Sequence, residues 1–211
     1  NWYEQENLTQ WIYTVNGNWD YCFYGTIDGG GHTVTGLYNN LNDSNIAYCG
    51  FISVLHDKGP TVIRNLKIDR SYFRVNNNEG ETHIGTFVGA MNGRNLTLEN
   101  CAVGEDVTIF CKTKDGDPMI GGFVGSLGGS GSFTATNCLT DFADGDAETS
   151  GAPSWDPGTP CQPRIGSLYG KTWGAQIKVN NVLSTGLKLQ GNESTGNNAV
   201  INGAFKALNL E

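Results

Sequence analysis

Along most of the chain, apolar and polar residues alternate over short runs that glycine and asparagine interrupt, a pattern that predicts strands joined by tight turns. In Val62-Ile63-Arg64-Asn65-Leu66-Lys67-Ile68, Leu66 and Ile68 point one way, Lys67 points the other, and Arg64 reaches solvent. Equivalent runs place Leu96, Leu98, Cys101 and Val103, then Phe133, Ala135, Cys138 and Thr140, then Ile177, Val179 and Val182. The runs keep a fixed phase. Cores reading CGFISVL (49–55), IGTFVGAM (84–91), IGGFVGSL (120–127) and IGSLYGKT (165–172) align on Phe51, Phe87, Phe123 and Leu168, which lie 36, 36 and 45 residues apart. A second anchor follows each: Asn65, Asn100, Asn137 and Asn181, at offsets of 14, 13, 14 and 13.

Self-similarity at a fixed period means that each copy is one structural unit, burying its apolar face against its neighbours. Thirty glycines and the absence of a long amphipathic run argue against helical repeats. The period accommodates three short strands with their corners. The expected fold is therefore all-β, a right-handed parallel β-helix (β-solenoid) of about four to five coils. The anchor asparagines fit its corners, because asparagine tolerates left-handed backbone and its amide bonds along a stack of like neighbours.

Only the N-terminal segment departs from this pattern. In residues 4–16, Leu8, Trp11, Ile12 and Val15 fall at i, i+3, i+4 and i+7, with Glu4 and Glu6 near the start. This predicts a short capping helix within an N-terminal cap over residues 1–20, covering the first open coil of a repeat domain over 21–211. Residues 199–208 read as the start of another coil, so the chain is expected to be part of a larger multidomain protein.

The cores IGGFVG (120–125) and IGTFVG (84–89) resemble the GLUG motif of bacterial secreted and surface proteins, and FYGTIDGGGHTVTGLY (23–38) resembles the stretch that commonly precedes it. Similar repeats occur in β-helical regions associated with some bacterial immunoglobulin A proteases. The resemblance spans roughly residues 20–190 and implies a β-helix and an exported bacterial origin, secreted or at the cell surface. Copy one departs from the motif at Ser53, and copy four at Leu168-Tyr169.

The net charge of −8, with no clustered basic residues, disfavours a nucleic-acid backbone or an anionic membrane as partner. No stretch approaches the roughly 20 apolar residues needed for membrane insertion as a helix. Six cysteines, at 22, 49, 101, 111, 138 and 161, show no zinc spacing. Cys101 and Cys138 each follow an anchor asparagine and are expected to stack as buried thiols. Cys161 is a candidate to pair with Cys111 or Cys138.

Catalytic signatures are sparse. Gly166 to Thr172 is one residue short of a phosphate loop and coincides with a repeat core. His32, His56 and His83 are scattered. Asp69 and Asp141, in equivalent positions two coils apart with Gly104 between, would stand roughly 10 Å apart, at the upper edge for an inverting glycosidase pair. The run from Asp141 through Asp144 and Asp146 is a candidate calcium loop, weighed against a solvated acidic loop. An insertion at about 141–163 carries Trp155 and Asp156. With Tyr169 and Trp173 of the next coil, these are the candidate binding residues for a glycan or a host protein, against the alternative that Trp155 pins its loop. The expected function is a non-catalytic binding, adhesion or spacer module. The alternative is a carbohydrate-active β-helix enzyme, a polysaccharide hydrolase or lyase.

Overall fold

The computed structural model of the chain describes residues 8–9, 11, 22–41, 47–56, 59–77, 81–113, 118–141, 154–155, 164–185 and 200–201. A first round of the chain comprises β1 (Gly25–Thr35), β2 (Tyr38–Leu41), β3 (Ala47–Cys49) and β4 (Ile52–His56). A second comprises β5 (Thr61–Asp69), β6 (Ser71–Asn77), β7 (Thr82–Gly85) and β8 (Val88–Asn92). The third has β9 (Leu96–Glu99), β10 (Ala102–Val103), β11 (Val107–Thr113), β12 (Pro118–Gly121) and β13 (Val124–Gly128). The fourth has β14 (Ser132–Asp141), β15 (Ser154–Trp155), β16 (Arg164–Gly166) and β17 (Tyr169–Trp173), followed by β18 (Gln176–Thr185) and β19 (Val200–Ile201).

Corresponding strands of successive rounds pair into four sheets. The first is β1-β5-β9/β10-β14-β18 and the second is β2-β6-β11-β15. The third is β3-β7-β12-β16-β19 and the fourth β4-β8-β13-β17. All ladders between these strands are parallel, and the described residues are all-β with no helix.

Repeat anchors become register partners. Ile52, Val88, Val124 and Tyr169 pair in turn, which aligns Phe51, Phe87, Phe123 and Leu168 just before them. Phe87 and Phe123 meet edge to face at 5.8 Å and are wholly buried, with Phe73, Phe133, Ile63 and Ile84. Asn65, Asn100, Asn137 and Asn181 all adopt left-handed backbone, with φ of 54°, 52°, 54° and 51°. Each such residue shifts the alternation by one. In β5, Thr61 and Ile63 face inward before Asn65, and Leu66 and Ile68 face inward after it. Asparagine adopts this corner more readily than other chiral residues because its short polar side chain bonds locally.

Glycines in the third and fourth sheets serve a different need. A Cβ on Gly85 would strike the Val88 carbonyl oxygen, and one on Gly125 would lie 2.6 Å from the Ile84 nitrogen. The strand-turn-strand unit I-G-x-F-V-G folds back so tightly that backbone packs on backbone.

The predicted capping helix is not seen. Most of residues 4–16 lie outside the described residues, and Leu8, Thr9 and Trp11 have no helical assignment. Trp11 instead lies against the first round. Its N–H donates to the Tyr38 carbonyl at 2.6 Å, its indole Nε1 donates to the Phe51 carbonyl at 3.1 Å, and its ring stacks on Phe51 at 6.0 Å. Trp11 thus extends the column of Phe51, Phe87 and Phe123 by one ring. The expected pairing of Cys161 lies outside the described residues. Cys101 and Cys138 do stack, as buried thiols donating to the carbonyls of Ile63 and Thr136.

Candidate functional site

Strand alternation divides the first and second sheets into a core face and an outer face, and the two outer faces differ in chemistry. On the first sheet the four anchor asparagines form a ladder. Asn181 Nδ2 donates to Asn137 Oδ1 at 2.7 Å, Asn137 to Asn100 at 3.2 Å, and Asn100 to Asn65 at 3.0 Å. All amides point the same way, so the ladder needs an acceptor at its N-terminal end. Asp28 supplies it, receiving Asn65 Nδ2 at 3.0 Å, the Gly30 N–H at 3.0 Å and Arg64 Nε at 2.8 Å. The Asn65 amide, then Gly30 and Arg64, hold its carboxyl down from 3.8 to about 2. Here β1 bulges, Gly29 to Gly31 standing opposite the single Asn65.

Asp69 is held just as firmly. It receives Lys67 Nζ at 2.6 Å, the Arg70 N–H at 2.9 Å and the Asp106 N–H at 3.2 Å. Burial pushes its carboxyl up, but these donors outweigh burial and keep it below the usual range. Its side chain fills the space that a Cβ on Gly104 would take. Register places Asp69, Gly104 and Asp141 in one row, as the sequence predicts.

The second sheet presents a different face. Its inward residues Phe73, Val75, Ile109 and Cys111 are buried, while Tyr38, Asn40, Tyr72, Arg74, Thr108 and Phe110 alternate outward and are partly exposed. Register stacks Tyr38, Tyr72 and Thr108 in one row, and Asn40, Arg74 and Phe110 in the next. The tyrosine rings lie 5.8 Å apart and within 14° of parallel, and Asn40 Nδ2 donates to the Tyr38 hydroxyl at 3.3 Å. Arg74 lies 5.3 Å over the Phe110 ring, and its Nε makes no hydrogen bond. No Asp or Glu occurs in β2, β6 or β11. Sequence reading missed this face. The usable signal was that Arg74 and Phe110 follow Phe51 and Phe87 at one common offset.

The sequence-predicted site residues that are described lie on strands of different sheets. Trp155 joins the second sheet through β15, its backbone in register with Thr113, and Asp156 lies outside the described residues. Tyr169 packs half-buried against the core, and burial pushes its phenol up. Trp173, at the end of β17 in the fourth sheet, is 44% exposed with Lys171 Nζ 5.0 Å over its ring. Of the candidate metal ligands, Asp144 and Asp146 lie outside the described residues and Asp141 ends β14. Among the described residues, no group of three His, Cys, Asp or Glu side chains is arranged to hold a metal. The phosphate-loop look-alike leads from β16 into β17 and opens no helix.

One polar chain, buried at Ser126 and His83 and exposed at Glu81, has the composition of a hydrolase site. His83 Nδ1 lies 2.7 Å from Ser126 Oγ, His83 Nε2 lies 3.4 Å from Glu81 Oε2, and the imidazole stacks on Tyr48 at 4.8 Å. The neighbouring His83 imidazole lowers the Glu81 carboxyl against the pull of burial, with help from Lys171 and Arg164. Ser126 and His83 are 1% and 3% exposed, so a substrate would not reach the hydroxyl. The chain ties the third sheet to the fourth.

The chain matches no model of a protein family, no curated protein and no solved structure.

Proposed function

We propose that this chain is a non-catalytic binding, adhesion or spacer module of an exported bacterial protein, built as a right-handed parallel β-helix of the GLUG-repeat type. The asparagine ladder carries this reading. Amide bonds link four successive rounds in one direction and end on a carboxylate, a device that stiffens a stack without using any chemistry. Four sheets met in the same order on each round support the coil reading, and the strong preference of parallel crossovers for the right hand supports its sense. The best-held carboxylates, Asp28 and Asp69, are committed to cations and backbone donors, which supports a scaffold over a hydrolase. The GLUG-like cores support export to the cell surface or beyond.

The test pairs retention with turnover. The purified chain is incubated with acidic and neutral polysaccharides, with and without calcium, and both bound protein and newly formed chain ends are measured. Retention without new ends is the expected result. New reducing or unsaturated ends, lost on substitution of an acidic residue, would replace this reading with a carbohydrate-active enzyme.

A further inference from the structure

We infer that the outer face of the second sheet, centred on Tyr38, Tyr72, Arg74 and Phe110, is a binding platform for an extended anionic polysaccharide lying across the strands. The inference rests on the module reading above and names its site and ligand class.

Three features select the ligand. Aromatic side chains from successive rounds share one face, with the tyrosine rings 5.8 Å apart and nearly parallel. The stacked pair offers apolar ring edges at low entropic cost, together with polar hydroxyl tips, which suits the apolar patches and hydroxyl rims of pyranose rings. The platform is also periodic. Strands stand about 4.8 Å apart, close to the advance of one sugar in an extended chain, so consecutive sugars meet consecutive rounds. Charge supplies the third feature. Arg64 and Lys67 on the first sheet are each paired with a carboxylate, whereas Arg74 has no salt bridge among the described residues and rests on Phe110. A cation beside aromatic rings, on strands without acidic residues, complements a carboxylate or sulfate on the sugar. Asn40 adds an amide in the same row.

The experiment is calorimetric titration of the full 211-residue chain with an oligogalacturonate hexamer, a sulfated galactan oligomer and a neutral glucan hexamer. At least one anionic probe is expected to bind, more weakly as salt rises, and at least tenfold more tightly than the glucan. Which anion binds identifies carboxylate or sulfate as the source of charge. Arg74→Gln should lower that affinity about tenfold and flatten its salt dependence, with Arg74→Lys retaining most of it. Tyr72→Ala should lower it about tenfold with the melting temperature held. Anionic binding unchanged in both Arg74→Gln and Tyr72→Ala, or neutral and anionic probes binding equally, would overturn the platform. So would failure of the wild-type chain to bind any probe. Binding that survives both variants but is lost in Trp173→Ala would move the site to β17 and leave the module reading standing. Appearance of new chain ends during titration would instead defeat the module reading itself.

Discussion

The outer faces of the first and second sheets come from the same rounds of the chain, yet they solve different problems. On the first sheet nearly every polar group named above has a partner. Asn65, Asn100, Asn137 and Asn181 bond to one another, Arg64 meets Asp28, and Lys67 meets Asp69. On the second, rings stack on rings and Arg74 covers Phe110 with no carboxylate partner among the described residues. A surface whose polar groups are matched internally has little left for a ligand. A surface of half-exposed rings and a cation unmatched among the described residues offers apolar area and charge together. Substitutions on the first face should therefore cost stability, and those on the second should cost binding.

Asn137→Ala should produce the largest loss. It removes two ladder bonds and puts a Cβ-bearing residue without a compensating amide into left-handed backbone. Together these are expected to cost about 2–3 kcal/mol, read as a lower denaturation midpoint. Asn137→Gly keeps the backbone angle and loses only the amide, so it should recover part of that loss. Equal losses in the two variants would show that the ladder, not the corner, carries the stability. Gly104→Ala should follow, at about 1–3 kcal/mol, because the new methyl group drives out the Asp69 carboxylate. Removing that carboxylate in the double variant Asp69→Ala/Gly104→Ala should lessen the damage, and a double variant worse than the sum of the singles would disprove the displacement.

Acid should distinguish the faces more gently. Asp28 titrates near 3.8 when unfolded and is held down to about 2 in the fold. Its stabilising contribution is therefore complete above about pH 4 and is lost as pH falls towards 2. Asp28→Asn keeps an acceptor for Asn65 without the charge, so its denaturation midpoint should fall less between pH 4 and pH 2 than that of the wild type. An identical fall would remove Asp28 from the acid response. Arg74→Gln should have the smallest effect on stability, within about 0.5 kcal/mol. A larger loss of melting temperature would mean that the second face is packed for stability, like the first.

Residue spacing alone revealed much of this architecture. Phe51, Phe87, Phe123 and Leu168 fall into alignment, and the anchor asparagines adopt the left-handed corner and the ladder expected of them. These features were legible because each depends on one residue type recurring at one phase. The capping helix was not. Its apolar spacing suited a helix in isolation, but Trp11 places its ring over Phe51 and its backbone against Tyr38, contacts that no local pattern encodes. The placement of the aromatic candidates was beyond local pattern for a related reason. Trp155 and Trp173 are near in sequence, but β15 and β17 belong to different sheets, and the half-buried Tyr169 packs on the core.

What the sequence determined by itself was periodic and local: alternation, corners, glycines and the phase of the repeat, all set by backbone sterics and side-chain parity within a few residues. Tertiary structure alone decided which outward residues share a face, because strands more than thirty residues apart become neighbours only through pairing. The same holds for Asp28, an ordinary acidic residue in the sequence, which becomes the end of a ladder once three rounds of asparagine stack behind Asn65. Burial and pairing, rather than residue type, also decided that Ser126 and His83 tie two sheets together while Arg74 faces outward.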